Sequence, residues 1–403
     1  PGAVRPPNLD TCVCASSISS MTLAEILANE ALRQREFPVA REKIFLAHAG
    51  DCPLPRRVAR AISDYAQQAT ASDQETLIFP AALNDARKLA ARLLNCHEDE
   101  VAFVGPTSLA LSFIASGLKF RKCDNILIYH DDYPSNVYPW MALAGQGTEV
   151  RLLNTRGLGL IRPQDVLGQV DENTRLVALA SCHFVSGYRV DHAAIGKALR
   201  ERNILFCLDA IQTLGAFPTT IEHVDFLAAD AHKWLLGPCG AGLLYVRREF
   251  QEKVNPPIYG WHNVRCPNYV AQEQIVYRSG AKKFEAGSQN LLGLAGLIAA
   301  MELILEIGVD NIARELLRKR ALLVPALQGK SYTVLQAEAA PTNASCLISF
   351  SKAGQDLTSL HQKLMEANII TSLRTDRAGQ RYLRLSPHFY NTDAELQRVM
   401  ELI

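Results

Sequence analysis

Short, nearly unbroken apolar runs alternate with stretches of helical period along most of the chain. The runs fall at residues 101–104, 125–129, 149–153, 175–180, 204–209, 225–229 and 242–246. Helical patterns at 108–118 and 192–201 lie between several of them. Strands that alternate with helices predict an α/β fold with a mostly parallel, seven-stranded sheet covered on both faces. Ligands of such sheets bind beyond the carboxyl ends of the strands.

Near residue 290 the pattern changes. Residues 292–306, 311–327 and 357–367 read as helices, and short strands are expected around 345–350 and 382–385. The organisation this predicts is a large domain over 41–290 and a smaller α+β C-terminal domain over 291–403. An N-terminal segment, 21–40, joins the small domain. That segment reads as one helix over 22–35, with Thr22 as its cap and Glu25 three residues on. Residues 1–20 carry Pro1, Pro6 and Pro7, then a cluster of serines, without helical or strand pattern. They read as a disordered leader or a processing remnant, and lack the apolar stretch of a secretory signal.

The 403 residues exceed the usual length of one domain. An apolar fraction of 48% with 21% charged residues is ordinary for a globular protein and excludes wholesale disorder. The balance of 42 Lys+Arg against 41 Asp+Glu points to neither nucleic acid nor a membrane surface as partner. The longest apolar stretch, 291–301, is too short to span a bilayer, so no integral membrane protein is expected. Ten cysteines are scattered without a disulfide framework. Cys12 and Cys14 alone do not supply the four ligands of a zinc site. Reduced thiols in a cytoplasmic protein, with no metal, are the expectation.

Four segments carry candidate chemistry. In Ala229-Asp230-Ala231-His232-Lys233-Trp234, a lysine sits among apolar neighbours past a strand. Burial lowers the pKa of an amine, and a neutral amine can attack a carbonyl to form a Schiff base. The competing reading is a lysine that reaches solvent. In Leu205-Phe206-Cys207-Leu208-Asp209-Ala210-Ile211-Gln212, an aspartate ends a strand. It either pairs with a protonated pyridine nitrogen or caps the next turn. Gly105-Pro106-Thr107-Ser108 opens a helix, where free amides and two hydroxyls suit a phosphate or serve as an ordinary cap. In His130-Asp131-Asp132-Tyr133-Pro134, an aromatic fixed before proline stacks on a flat ring or packs on the core.

Together these segments resemble the class V aminotransferase family of pyridoxal-phosphate enzymes. Its members include cysteine desulfurases, selenocysteine lyases, kynureninases and isopenicillin-epimerase-like proteins. The order of elements carries the resemblance: phosphate turn, stacking aromatic, Asp-x-x-Gln, then His-Lys. A later family element appears as Lys283-Phe284-Glu285-Ala286-Gly287-Ser288-Gln289-Asn290. The segment Tyr382-Leu383-Arg384-Leu385-Ser386-Pro387-His388-Phe389-Tyr390-Asn391-Thr392 looks most like the epimerase-like branch. The likeness runs from about residue 40 to the C-terminus and implies a fold-type I pyridoxal-phosphate enzyme.

By that resemblance Lys233 binds pyridoxal 5'-phosphate covalently and shuttles the α-proton. Asp209 holds the pyridinium, Gln212 approaches the phenolic oxygen and Tyr133 stacks on the ring. Thr107, Ser108 and His232 bind the phosphate. Ser288 matches a threonine that reaches the phosphate of a neighbouring subunit, implying a homodimer with shared active sites. Arg384 matches the arginine that grips the substrate α-carboxylate, a task suited to a planar fork.

Three departures stand out. His183 occupies a place usually held by Asn or Gln near the cofactor oxygen, where it tunes the ring, donates a proton or simply substitutes as a hydrogen-bonding group. Asp230 stands where desulfurases carry a phosphate-binding serine, and an anion there must face another partner. Residues 347–403 contain no cysteine, which disfavours a persulfide relay. The expected activity is transamination or β-elimination of a small α-amino acid, with epimerisation third and a non-catalytic cofactor-binding scaffold as the rival class.

Overall fold

The computed structural model describes residues 21–78 and 81–403; the leader expected at 1–20 lies outside them. Seven strands form the large sheet: β1 (Val101–Phe103), β2 (Asn125–Ile128), β3 (Glu149–Leu152), β4 (Thr174–Ala180), β5 (Leu205–Asp209), β6 (Phe226–Asp230) and β7 (Gly242–Val246). Their order is β1-β7-β6-β5-β4-β2-β3. β3, β2, β4, β5 and β6 run parallel, and β7 lies antiparallel between β6 and β1.

The apolar runs are continuous because the sheet is covered on both faces. Val177, Leu179, Phe206, Leu208 and Leu227 belong to one core, while Leu176, Ala178, Cys207, Phe226 and Ala228 belong to another. Successive residues of one strand therefore enter opposite cores, as the two-residue period of a strand requires.

Helices α1 (Arg56–Gln68), α2 (Ala81–Leu94), α3 (Thr107–Gly117) and α4 (His192–Arg200) precede or lie between the strands of the large sheet along the chain. α5 (Leu291–Ile307), expected to open the smaller domain, packs against α1 and α2. Its Leu294, Leu297, Met301 and Ile304 enter the large-sheet core, because it is apolar nearly all round. α6 (Val309–Gly329) follows at a bend of 75° and turns away into the smaller unit. Among the described residues, no single helix is long and apolar enough to cross a membrane.

The smaller unit holds an antiparallel sheet of β8 (Thr333–Val334), β9 (Ile348–Ser351), β10 (Ser372–Thr375) and β11 (Arg381–Leu385), in the order β10-β11-β9-β8. α7 (Leu357–Glu366) and α8 (Asp393–Leu402) complete its core with Leu360, Leu364, Leu396 and Val399.

The helix expected over 22–35 is two helices, Leu23–Ala28 and Glu30–Glu36. Thr22 and Glu25 form the expected capping box, but Asn29 adopts an extended conformation and caps the second helix through the Leu32 amide. This segment is fastened to the C-terminal one. Arg33 donates to the Tyr390 carbonyl and pairs with Glu395 at 2.8 Å. Phe37 stacks on Tyr390 with ring centroids 4.0 Å apart. Further on, Ile44–Phe45 runs parallel to Ile369–Ile370. Phe37→Ala is expected to cost about 3 kcal/mol of unfolding free energy, from lost burial and ring contact. Urea unfolding with a change below about 1 kcal/mol would contradict this anchoring role.

Candidate active site

Chain reversals beyond β2, β4, β5 and β6 converge on a cavity of about 240 Å³. β5 ends in Asp209, a buried wall residue whose Oδ1 accepts the Ile211 amide at 3.0 Å. Burial pushes this carboxyl up to about 6, against the opposing influence of that amide and of the Lys233 charge.

β6 ends in Asp230 and leads into the turn that presents Lys233. The Gly237 amide closes this turn on the Ala231 carbonyl at 2.9 Å, and the Leu236 amide reaches the Lys233 carbonyl at 3.2 Å. Leu236 is fully buried with φ of 58°, a left-handed conformation unusual for a bulky residue. Lys233 itself is buried and lines the cavity. Burial pulls its amine down to about 8; the Asp209 carboxylate opposes this, and the Arg384 and Arg374 guanidiniums reinforce it.

Asp230 does face other partners. Its Oδ1 accepts the Ala231 amide, and its Oδ2 accepts the Gly240 amide and the His232 Nδ1–H at 2.9 Å. Burial alone would raise its pKa, but the His232 ring and the two amides bring the carboxyl below its ordinary value. His232 lines the cavity, with Nε2 3.7 Å from Asp51. The Asp230 amide in turn donates to the Thr107 hydroxyl at 2.9 Å.

Thr107 is the first residue of α3, and Thr107 and Ser108 both line the cavity. The Leu109 and Ala110 amides turn back to the Pro106 carbonyl. The amides of Thr107 and Ser108 have no intrahelical acceptor, as at any helix start. A Cβ on Gly105 would lie 2.5 Å from the Gly240 carbonyl carbon, so glycine lets this turn pack against the loop that holds Asp230.

The Tyr133 ring is half-exposed, packs edge-on to Phe184 at 5.3 Å and lies 5.3 Å from the Lys233 amine. Its loop is held by Asp132, which accepts the Tyr133 amide, the Asn136 side-chain amide and the Ala180 amide. Burial and the nearby Asp209 charge push the Asp132 carboxyl up to about 7, against those three donors. Asp132 was missed in the sequence; its only signal was its place immediately before the aromatic.

Arg384 lies on β11, almost wholly buried, and lines the cavity. Its Nη1 donates to the Phe184 carbonyl at 2.6 Å, while Nε and Nη2 have no partner. Such orphaned buried donors mark a place for an anion. Burial and the adjacent Arg374 guanidinium lower its pKa to about 9. Arg374 and Asp51 also line the cavity and carried no signal, because both come from loops or edges outside the recognised motifs.

Three expected residues sit differently. The Gln212 side chain is at the cavity, but its Nε2 donates to the Ala49 carbonyl and its Oε1 accepts the Trp234 indole N–H. His183 does not line the cavity; its Nδ1 accepts the Ser186 amide and its Nε2 donates to the Asp131 carbonyl at 2.9 Å. Burial lowers its pKa to about 4, and the neutral ring braces its loop through these bonds. Ser288 is also outside this chain's cavity and donates to Glu75 at 2.6 Å.

The class V aminotransferase model matches residues 44–399. The chain belongs to the class V aminotransferase family. A probable cysteine desulfurase of Methanothermobacter thermautotrophicus is 28% identical over 390 residues, covering 92% of this chain and 96% of that one. An uncharacterized aminotransferase of Bacillus subtilis is 26% identical, covering 91% and 95%. Among solved structures, an apo cysteine desulfurase of Thermococcus onnurineus superposes with a TM-score of 0.84 at 22% identity, over 92% of this chain and 96% of that one. A cystine C-S lyase in complex with cysteine persulfide gives 0.81 at 22% identity, over 91% and 98%. These likenesses establish fold type I. As a class V chain it is a pyridoxal-phosphate enzyme.

The buried amine has a measurable consequence without any ligand. Its folded pKa, near 8, lies below the unfolded 10.5, so stability from this group is complete above 10.5 and lost as pH falls through 8. Lys233→Met should stabilise the cofactor-free protein at pH 7 by on the order of 2 kcal/mol, a gain that fades toward pH 10. Urea unfolding across that range checks it, and a pH-independent difference would contradict the buried-amine assignment.

Proposed function

We propose that this class V enzyme cleaves a Cβ–S bond of a small α-amino acid by β-elimination. One observation carries the reading beyond the family: the cavity holds the acid, base and carboxylate grip of such a reaction but no thiol. Among the described residues no cysteine lines it, and Cys346 is buried just before β9. This supports a reaction in which sulfur leaves on the small molecule rather than on the protein. With water the balance is RS–CH2–CH(NH3+)–COO⁻ giving pyruvate, ammonium and RSH.

The residues present fit pyridoxal phosphate. A buried amine and a buried carboxylate share a cavity with a helix N-terminus and an aromatic ring. Lys233 would hold the group, Asp209 its ring nitrogen and Tyr133 its face. Thr107, Ser108 and the start of α3 would take the phosphate. The Thr107 oxygen already accepts the Asp230 amide, so its hydroxyl proton is available to donate. Asp230 accepts from His232 Nδ1, which fixes the ring with its Nε2 edge toward the cavity, where a phosphate would lie. When bound, the cofactor supplies an electron sink for the carbanion left by α-proton loss.

The chain's own groups then divide the work. The free donors of Arg384 grip the substrate carboxylate and orient Cα. The Lys233 amine, near neutrality in its titration, takes the α-proton and returns one to the departing fragment. Gln212 has one side-chain N–H left beyond its bond to Ala49, enough to approach the cofactor oxygen. Ser288 is proposed to serve the phosphate of a second copy, which makes the working form a homodimer. The eight described cysteines are free thiols, in keeping with a proposed cytoplasmic setting.

The test is a product balance. Cofactor-loaded enzyme is incubated with cysteine, cystine and other small amino acids, and pyruvate, ammonia and thiol are assayed together. Equal amounts of all three support elimination; a keto acid formed without ammonia would replace it with transamination. Arg384→Ala should raise KM about 100-fold, because a bidentate charged contact is lost. Unchanged KM for every amino acid turned over would remove the carboxylate role.

A further inference from the structure

The C-terminal motif from Tyr382 to Thr392 is only partly used by the reaction above. Arg384 accounts for its first residues, while His388 and Tyr390 lie fully buried behind the cavity. His388 Nε2 donates to the Trp234 carbonyl at 3.1 Å, and its Nδ1 accepts the Phe389 amide at 2.9 Å. These two bonds fix one neutral tautomer in a site that burial keeps uncharged.

The acceptor matters because Trp234 directly follows Lys233. Within the turn, the Leu236 amide bonds to the Lys233 carbonyl and the Gly237 amide to the Ala231 carbonyl. The Trp234 carbonyl is held instead from the smaller unit, by His388. The Trp234 indole is held on its other side by Gln212, itself tied to Ala49. The residue beside the reactive amine is thus clamped from the Asp209 strand's exit and from the segment that carries Arg384. Gly215 packs so closely that a Cβ there would lie 2.8 Å from the Trp234 oxygen, which leaves that peptide no room to shift toward it.

The motif is anchored at the other end as well. His48 donates to the Ser386 carbonyl at 3.0 Å and accepts the Tyr390 hydroxyl at 2.8 Å. Ser386 Oγ accepts the Ala49 amide and donates to the Leu46 carbonyl. Ala49 and Gly50 line the cavity. A wall residue, the carboxylate grip and the lysine turn therefore share one buried hydrogen-bonded strut.

We propose that His388 is a positioning residue: its bond to the Trp234 carbonyl sets where the Lys233 amine stands relative to a substrate held by Arg384. The proposal rests on Lys233 being the reacting amine. An amine displaced by a fraction of an ångström still binds its partners but transfers protons less well. The cost should therefore fall on kcat, not on KM.

The experiment compares His388→Gln with His388→Asn in the cofactor-loaded protein. A Gln amide reaches the place of Nε2 and can donate to the Trp234 carbonyl. An Asn amide reaches only the place of Nδ1. The Gln variant is expected to keep kcat within about 3-fold, and the Asn variant to lose about 10- to 100-fold with KM within about 2-fold. The pH midpoint of the visible absorbance should move in the Asn variant and stay in the Gln variant. Equal behaviour of the two variants, a parallel change in kcat and KM, or an Asn variant that alone fails to fold would overturn the positioning role. Failure of the underlying reading looks different: a wild-type protein with no visible absorbance in the presence of pyridoxal phosphate.

Discussion

Everything at this site depends on keeping one amine out of water. A buried ammonium loses hydration that no neutral partner replaces, and the largest compensation here is the buried carboxylate of Asp209. Two further guanidiniums in the same wall work against the charged amine. The result is a lysine that exchanges its proton near neutral pH. The fold places the carboxylate at the end of β5 and the amine on the turn that follows the adjacent parallel strand β6.

The charges are arranged by neighbours as much as by burial. Asp230 sits close to where a phosphate would lie, yet its oxygens are spent on His232, Ala231 and Gly240. That turns an apparent electrostatic conflict into a device for orienting a histidine. Asp132 plays a comparable part for the aromatic wall by holding the Tyr133 amide against the end of β4. In both cases an acid near the site acts by fixing a neighbour.

The large sheet was legible because its strands are buried on both faces and so read as unbroken apolar runs. Of the short strands, β9 and β11 were legible as apolar runs, but β10 was not: it is Ser-Leu-Arg-Thr at an edge, with most of its residues half-buried or exposed, and offers no such run. The break at Asn29 escaped because apolar spacing continues across it while a side-chain cap restarts the helix. α5 was assigned by its position in the chain, whereas its all-round apolar surface draws it into the larger core. Within the site, Lys233, Asp209, Thr107, Ser108, Tyr133, His232 and Arg384 could be found because motif order survives in sequence. Arg374, Asp51 and Asp132 could not, since only folding brings them to the cavity or behind it. The local partners of His183, Ser186 and Asp131, were likewise invisible to pattern.

The most direct measurement is chemical. Purified protein loaded with pyridoxal phosphate is reduced with borohydride, digested and mapped by mass spectrometry. The account predicts one phosphopyridoxyl label per chain, on Lys233, with its loss in Lys233→Ala. A label spread over surface lysines, or concentrated on a different one, would contradict the assignment of the site.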